Sequence, residues 1–199
     1  MTKRRIGILT GGGDCPGLNA VIRAVVRALA DDCDVIGIRN GFGGLIAGDF
    51  EPIGQGEVSG ILPRGGTILG SSNRDDPFDF HGVVNGEQLD GDVTRRVLDN
   101  AEAAGLDGVV VIGGDGTQLI GFKLQERARE SGRRFRCVGV PKTIDNDLMA
   151  TDRTFGFDTA VGICSEAIDR IHTTAESHHR VMFVEVMGRH AGWIALHAG

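Results

Sequence analysis

The most informative stretch for the architecture is "DGVVVIGGDGT", residues 107–117. Its β-branched run shows no polar alternation, which is the pattern of a strand buried on both faces, and such strands belong to parallel sheets with helices on either side. "GGDGT" at 113–117 ends the run, and a helix to about Arg129 follows. Outward from there, apolar runs alternate with segments of helical period, as in βα units. Ile6 to Thr10 leads through "GGGDCPG" into a helix with Leu18, Val21, Ile22, Val25, Val26 and Leu29 on one face. "DVIGI" at 34–38 reads as a strand and residues 92–104 as a helix. "RCVGV" at 136–140 reads as a strand delivering "PKTIDND", residues 157–176 as a long helix, and "RVMFVEV" at 180–186 as a strand delivering "MGRH". "RNGFGGLIAGD" and "PRGGTILGSSNRDDPF" at 63–78 read as glycine-rich loops over a ligand. The expected fold class is α/β, a three-layer parallel sheet with helices on both faces. Its strand-to-helix loops would line one crevice outside the carboxyl ends of the strands, where ligands bind.

Composition narrows the function. The 199 residues are 41% hydrophobic and 24% charged, ordinary for a soluble protein, but 32 are glycine and none is tyrosine. Glycine clustered in loops suits close approach of backbone to a ligand. A net charge of −6 argues against nucleic acid, which wants a basic face. The run Arg127, Arg129, Arg133, Arg134 and Arg136 therefore reads as a solvated helix end. Cys15, Cys33, Cys137 and Cys164 have no CxxC spacing, so neither structural zinc nor a disulfide framework is indicated, and a cytoplasmic setting is expected. The N-terminal apolar stretch stops at Leu9, too short for a signal core, and no later segment is long enough for a membrane span.

Each loop has a chemical reading beside a structural one. "GGGDCPG" is either a tight turn or a phosphate cradle of backbone N–H groups at a helix start; it is neither a P-loop nor GxGxxG. In "GGDGT", Asp115 between glycines suits a Mg²⁺ ion that keeps water and phosphate oxygens as its other ligands, and Thr117 suits a helix cap. In "PKTIDND", Asp145 and Asp147 beside Lys142 and Thr143 are either a polar turn or a general base with a hydroxyl donor and charge clamp, the set that phosphoryl transfer to an alcohol requires. The six histidines show no ligand spacing for zinc. Arg180 and Arg189, at the ends of "RVMFVEV", read as surface charges or phosphate clamps.

The motifs "LTGGGDCPGLNAVIR", "RGGTILG", "VVIGGDGT", "PKTIDND", "FGFDTAV", "EAIDRI" and "VEVMGRHAGWIAL", in this order from Arg5 to Gly199, resemble the phosphofructokinases. NAD kinases and diacylglycerol kinases share a GGDGT-like loop but lack the TIDND and MGR combination. The resemblance implies the phosphofructokinase fold, with residues 1–140 as a nucleotide-binding α/β domain and 141–199 as the start of an incomplete sugar-phosphate domain. It implies that Gly13, Phe42, Asn73 or Arg74, and Gly114 to Thr117, including Gly116, line an ATP site, with Asp115 holding Mg²⁺. Asp145 would take the proton from the 1-hydroxyl of fructose 6-phosphate. Thr143 and Arg189 would assist the transferring phosphoryl. Ile144, Asp147, Met187, Gly188 and Arg189 would hold the sugar phosphate, and Arg180 would reach the active site of a neighbouring subunit in a homodimer or homotetramer.

The donor signature is mixed. Gly116 is the ATP-type residue, leaving room for the α-phosphate, whereas Lys142 is the pyrophosphate-type residue; the steric requirement weighs more, so ATP is expected and pyrophosphate is the alternative. Strict alignment places Asn73, not Arg74, opposite the arginine of many bacterial enzymes. Arg23 and Arg27 match effector-site arginines of the family or form a solvated helix face. The chain stops at "GWIALHAG" inside an expected helix, which reads as an interruption, so a non-catalytic nucleotide-binding fragment is a further alternative.

Overall fold

Val109, Val111 and Ile112 are at most 2% exposed in the computed structural model of this chain, which describes residues 3–199. They sit in the middle of a sheet whose elements follow in chain order. These are β1 (Arg4–Gly11), α1 (Leu18–Leu29), β2 (Cys33–Ile38), α2 (Phe42–Ala47), β3 (Phe50–Pro52) and β4 (Ser71–Ser72), then β5 (Phe80–Val84) and β6 (Glu87–Gly91). Next come α3 (Thr94–Ala103), β7 (Gly108–Gly113), α4 (Asp115–Glu130), β8 (Cys137–Thr143), β9 (Phe155–Gly156), α5 (Phe157–His178) and α6 (Trp193–Ala198). The chain forms two compact units that divide between Pro141 and Lys142.

In the first unit, β1 lies parallel between β2 and β7, with Ile8 opposite both Gly37 and Val110. β8 joins the far side of β7 in parallel, Val111 opposite Gly139, and β3 closes the other edge antiparallel to β2. Because side chains alternate across a strand, Leu9, Ile36, Ile38, Val109 and Val111 share one face. That face packs with buried residues of α2, α3 and α4 in one hydrophobic cluster. Ile8, Val35 and Ile112 point the other way, toward the side where Leu18, Ile22 and Val26 of α1 are buried. Two-sided burial explains why the strands read as unbroken apolar runs. The expected α/β class, a mostly parallel sheet with helices on both faces, is the fold observed.

Local structure departs from expectation in four places. Residues 39–49 are not a loop: Phe42, Leu45 and Ile46 recur at helical spacing and make α2, with a left-handed Gly48 at its C-terminus. The 63–78 segment contains β4, which extends the carboxyl end of β1 through Thr10 opposite Ser71. A hairpin of β5 and β6 turns at Asn85 and Gly86, both with positive φ (53° and 83°), the Asn-Gly turn that matches strand twist. Finally, residues 180–186 form no strand: no ladder partner for them occurs among the described residues, and Val181 and Phe183 stand in water.

The second unit has a small core of its own. Phe157 and Cys164 of α5 and Ile194 of α6 are buried together, with Ile144, Ile168 and Val186 packed against them. The last two residues of β8, Lys142 and Thr143, pair with Phe155 and Gly156 of β9, which fixes the start of α5 beside the 143–147 turn.

Candidate functional site

In the first unit the candidate residues gather at the carboxyl ends of β1, β4 and β7. An open cleft of about 510 Å³ lies between Gly12–Asp14, Gly66–Thr67 and Ser71–Arg74. Thus Gly13, Asn73 and Arg74 all line it. Two hydroxyls and one buried amide tie the glycine-rich strap to the sheet. Thr10 Oγ1 donates to Gly70 O (2.6 Å), and Ser71 Oγ donates to Gly12 O (2.5 Å). Asn19 Nδ2 donates to Arg64 O (2.9 Å), while its Oδ1 accepts from Ile68 N (2.8 Å). Sequence reading did not single out Thr10, Asn19 or Ser71. Phe42 is buried in the core cluster at the first turn of α2, so its side chain is a packing group.

The β7 end holds the second part. Gly114 is extended and α4 starts at Asp115, whose carboxylate is exposed in the first turn. A carboxylate is favourable there because the helix N-terminus is positive and its first N–H groups have no intrahelical acceptor. Thr117 does not cap the helix, contrary to expectation. It lies inside the first turn, buried, and its side chain fills the space over Gly11, where an added Cβ would sit 2.6 Å from Oγ1. The helix start is thereby packed against β1 and β7, so the Gly12–Gly13 turn and the Gly114–Asp115 turn are neighbours. Gly13 and Gly116 are different: a Cβ at either meets nothing within 4 Å, and neither has a positive φ. Protein packing does not require glycine at these two positions. Both border open space, and at Gly116 that space adjoins the first N–H groups of α4, which have no intrahelical acceptor, an arrangement suited to an anion.

In the second unit the 143–147 turn is a closed hydrogen-bond system. Thr143 Oγ1 accepts from Asp145 N (3.0 Å) and donates to Asp147 Oδ1 (3.1 Å). Asn146 adopts a left-handed conformation (φ 52°), and its Oδ1 accepts from Thr154 N (2.9 Å). Thr154, 3% exposed, donates its hydroxyl to Thr143 O (2.8 Å). Against this, Asp145 Oδ1 is buried and has no hydrogen-bond partner. An acceptor left so is uncommon and calls for an explanation, and a carboxylate waiting for a donor is a candidate base. Lys142 is buried at the end of β8, and Ile144 packs on the small core.

The remaining candidates are less organised. Arg180 follows the left-handed C-cap His179 of α5 and is exposed. Met187, Gly188 and Arg189 lie in irregular, exposed chain, with Gly188 at φ 145°. Arg23 donates to Val58 O (2.6 Å), which occupies part of its guanidinium, and Arg27 is an exposed charge in the last turn of α1. No group of three or more His, Cys, Asp or Glu able to hold a metal occurs among the described residues. Burial pushes the Cys137 thiol up to about 12, which makes it a poor nucleophile. Among the described residues no helix is long and apolar enough to cross a membrane.

Comparison with known proteins bears on this arrangement. A family model described as phosphofructokinase matches residues 5–199. A pyrophosphate–fructose 6-phosphate 1-phosphotransferase of Streptomyces coelicolor is 58% identical, over 98% of this chain and 53% of the relative. An ATP-dependent 6-phosphofructokinase 2 of Clostridium perfringens is 55% identical with the same coverage. Among solved structures, phosphofructokinase from Saccharomyces cerevisiae aligns with a TM-score of 0.81 and 36% identity, over 99% of this chain and 28% of that one. The chain thus spans about half the length of the curated relatives it matches.

Proposed function

The chain belongs to the phosphofructokinase family, and from that premise we propose that it carries the catalytic part of an ATP-dependent 6-phosphofructokinase. The reaction moves the γ-phosphoryl of ATP to the 1-hydroxyl of fructose 6-phosphate, giving fructose 1,6-bisphosphate and ADP in glycolysis. The observation that carries the reading is the unpartnered Oδ1 of Asp145. Asp145 accepts the hydroxyl proton as the oxygen attacks phosphorus, a role worth roughly 10²–10⁴ in rate. Thr143 and Arg189 face the moving phosphoryl. Ile144, Asp147 and Met187–Arg189 hold the sugar phosphate, with Arg180 contributed by a neighbouring subunit of a homodimer or homotetramer.

Gly13, Asn73, Arg74 and Gly114–Gly116 form the nucleotide side, with Phe42 and Thr117 contributing through the packing of α2 and of the α4 start, in a first domain of residues 1–140; residues 141–199 begin the sugar-phosphate domain. Phosphates meet the free N–H groups at the start of α4. The exposed carboxylate of Asp115 fits Mg²⁺, which takes one or two protein carboxylates and completes its shell with water and phosphate oxygens. When bound, Mg²⁺ neutralises charge on the phosphate chain. We place the protein in the cytoplasm.

The open space at Gly116 supports ATP as donor, since an α-phosphate needs it. A second reading, pyrophosphate as donor, is favoured by the name of the 58% identical relative and by Lys142 at the end of β8. Phosphorylation of fructose 6-phosphate, followed with Mg·ATP and Mg·pyrophosphate in parallel, tests both. We expect turnover with ATP. We also expect Gly116→Asp to lower kcat/KM for ATP at least about 100-fold, because a like charge against phosphate costs several kcal/mol, without loss of fold. Turnover with pyrophosphate alone selects the second reading. Turnover with neither overturns the catalytic reading and leaves a nucleotide-binding module.

A further inference from the structure

The hydroxyl and amide donors that the structure pairs around Asp145 are committed elsewhere. Its own N–H goes to Thr143 Oγ1, the Thr143 hydroxyl to Asp147, the Thr154 N–H to Asn146 Oδ1 and the Thr154 hydroxyl to Thr143 O. In a free turn these donors would compete for an aspartate side chain, which commonly folds back on nearby backbone. Here Thr154, eight residues beyond Asn146 and eleven beyond Thr143, closes the turn from outside and takes up the two acceptors that hold its shape.

We propose that Thr154 and Asn146 are positioning residues, which hold the 143–147 turn closed so that Asp145 Oδ1 stays clear of protein donors and meets the sugar hydroxyl; this rests on reading Asp145 as the base. Two features make Thr154 suited to the task. It is nearly fully buried, so water does not compete for its hydroxyl. It also precedes β9, whose pairing with Lys142 and Thr143 fixes its distance from the turn. Asn146 contributes a left-handed conformation that asparagine tolerates better than most residues, and the Thr154 bonds keep it there. Loss of the Thr154 hydroxyl frees Thr143 O and weakens the hold on Asn146. The turn then opens, and the Asp145 carboxylate folds onto released N–H groups.

Hydrogen exchange and kinetics on Thr154→Val, Thr154→Ser and Asn146→Gly test this. Valine keeps the shape of threonine without its hydroxyl, serine keeps the hydroxyl, and glycine keeps the left-handed turn without the acceptor. We expect the Asp145 amide to exchange about 10-fold faster or more in Thr154→Val and Asn146→Gly, near the parent rate in Thr154→Ser, with α5 amides unchanged in all three. We expect kcat to fall about 10–100-fold in Thr154→Val, with the donor KM unchanged and recovery in Thr154→Ser, as a displaced base requires. Unchanged Asp145 exchange overturns the clamp. Faster exchange with kcat intact overturns its positioning role. Asp145→Asn, run alongside, reports on the underlying reading: if it keeps full turnover, the base assignment fails whatever the exchange data show.

Discussion

Residues 108–113 and 180–186 carry similar apolar, β-branched runs, yet the first is the buried centre of a sheet and the second lies open. Val109 and Val111 are 2% and 1% exposed, whereas Val181 and Phe183 are 82% and 96% exposed. The difference is in the neighbours. β7 has β1 along one edge and β8 along the other, with helices over its face. Residues 180–186 have no ladder among the described residues, and only Val186 of the run packs on the small core of the second unit. A strand is stabilised by cross-strand pairs and shared burial, so an apolar run supplies only one side of the interaction.

The widest contrast to test is in packing. Leu9→Ala, opposite Val111 in the first unit, should cost about 3–4 kcal/mol in urea unfolding, because truncation leaves a cavity in a tight core. Phe183→Ala should stay within about 0.5 kcal/mol, as exposed substitutions do. An equal cost at Phe183 would mean that the run is packed in solution, and the contrast would disappear. Next in size is Gly11→Ala, where the new methyl meets Thr117 at the join of β1 and α4. A loss of about 1–3 kcal/mol is expected, and a smaller loss when Gly11→Ala is made in a Thr117→Ala background, which lacks the Oγ1 that the methyl meets, would show that the clash, not the strand, is responsible.

The smallest effect sharpens the contrast with an intermediate case, the two-stranded β5–β6 hairpin. His81 hydrogen-bonds Asp90 first and Asp79 second, and both raise its pKa above the ordinary 6.5. A raised folded pKa means that this stabilisation is complete below 6.5 and fades as pH rises through the higher folded value. Amide exchange across the hairpin should therefore quicken, beyond its intrinsic pH dependence, as pH rises from 6.5 through that value. His81→Asn should abolish this extra sensitivity; persistence in the variant would assign it elsewhere.

Much of the site was legible because its residues are close in sequence. Asp145, Thr143 and Asp147 meet through bonds spanning two to four residues, and "GGDGT" sits where a strand hands over to a helix. The Asn85-Gly86 hairpin was equally readable, since that dipeptide suits the turn, but it was passed over. Thr117 was misread for a physical reason. Its type suits a cap, yet its place inside the first turn of α4 aims it at Gly11 and Gly113 from neighbouring strands. Asn19, Thr10 and Thr154 carried no local signal. Their partners lie 49, 60 and 11 residues away, and ordinary polar residues reveal such roles only when the chain is folded.

Composition and periodicity alone were enough for the α/β class, the parallel core strands and the loops that carry the candidate residues. These follow from short-range periodicity and from backbone demands that a few residues impose alone. Which apolar run becomes a strand, which glycines face open space, and that Asp145 keeps an unpaired oxygen emerged only once the chain was folded. Those outcomes depend on which distant groups arrive beside a residue, and the pairing of donors and acceptors is settled between segments, not within them.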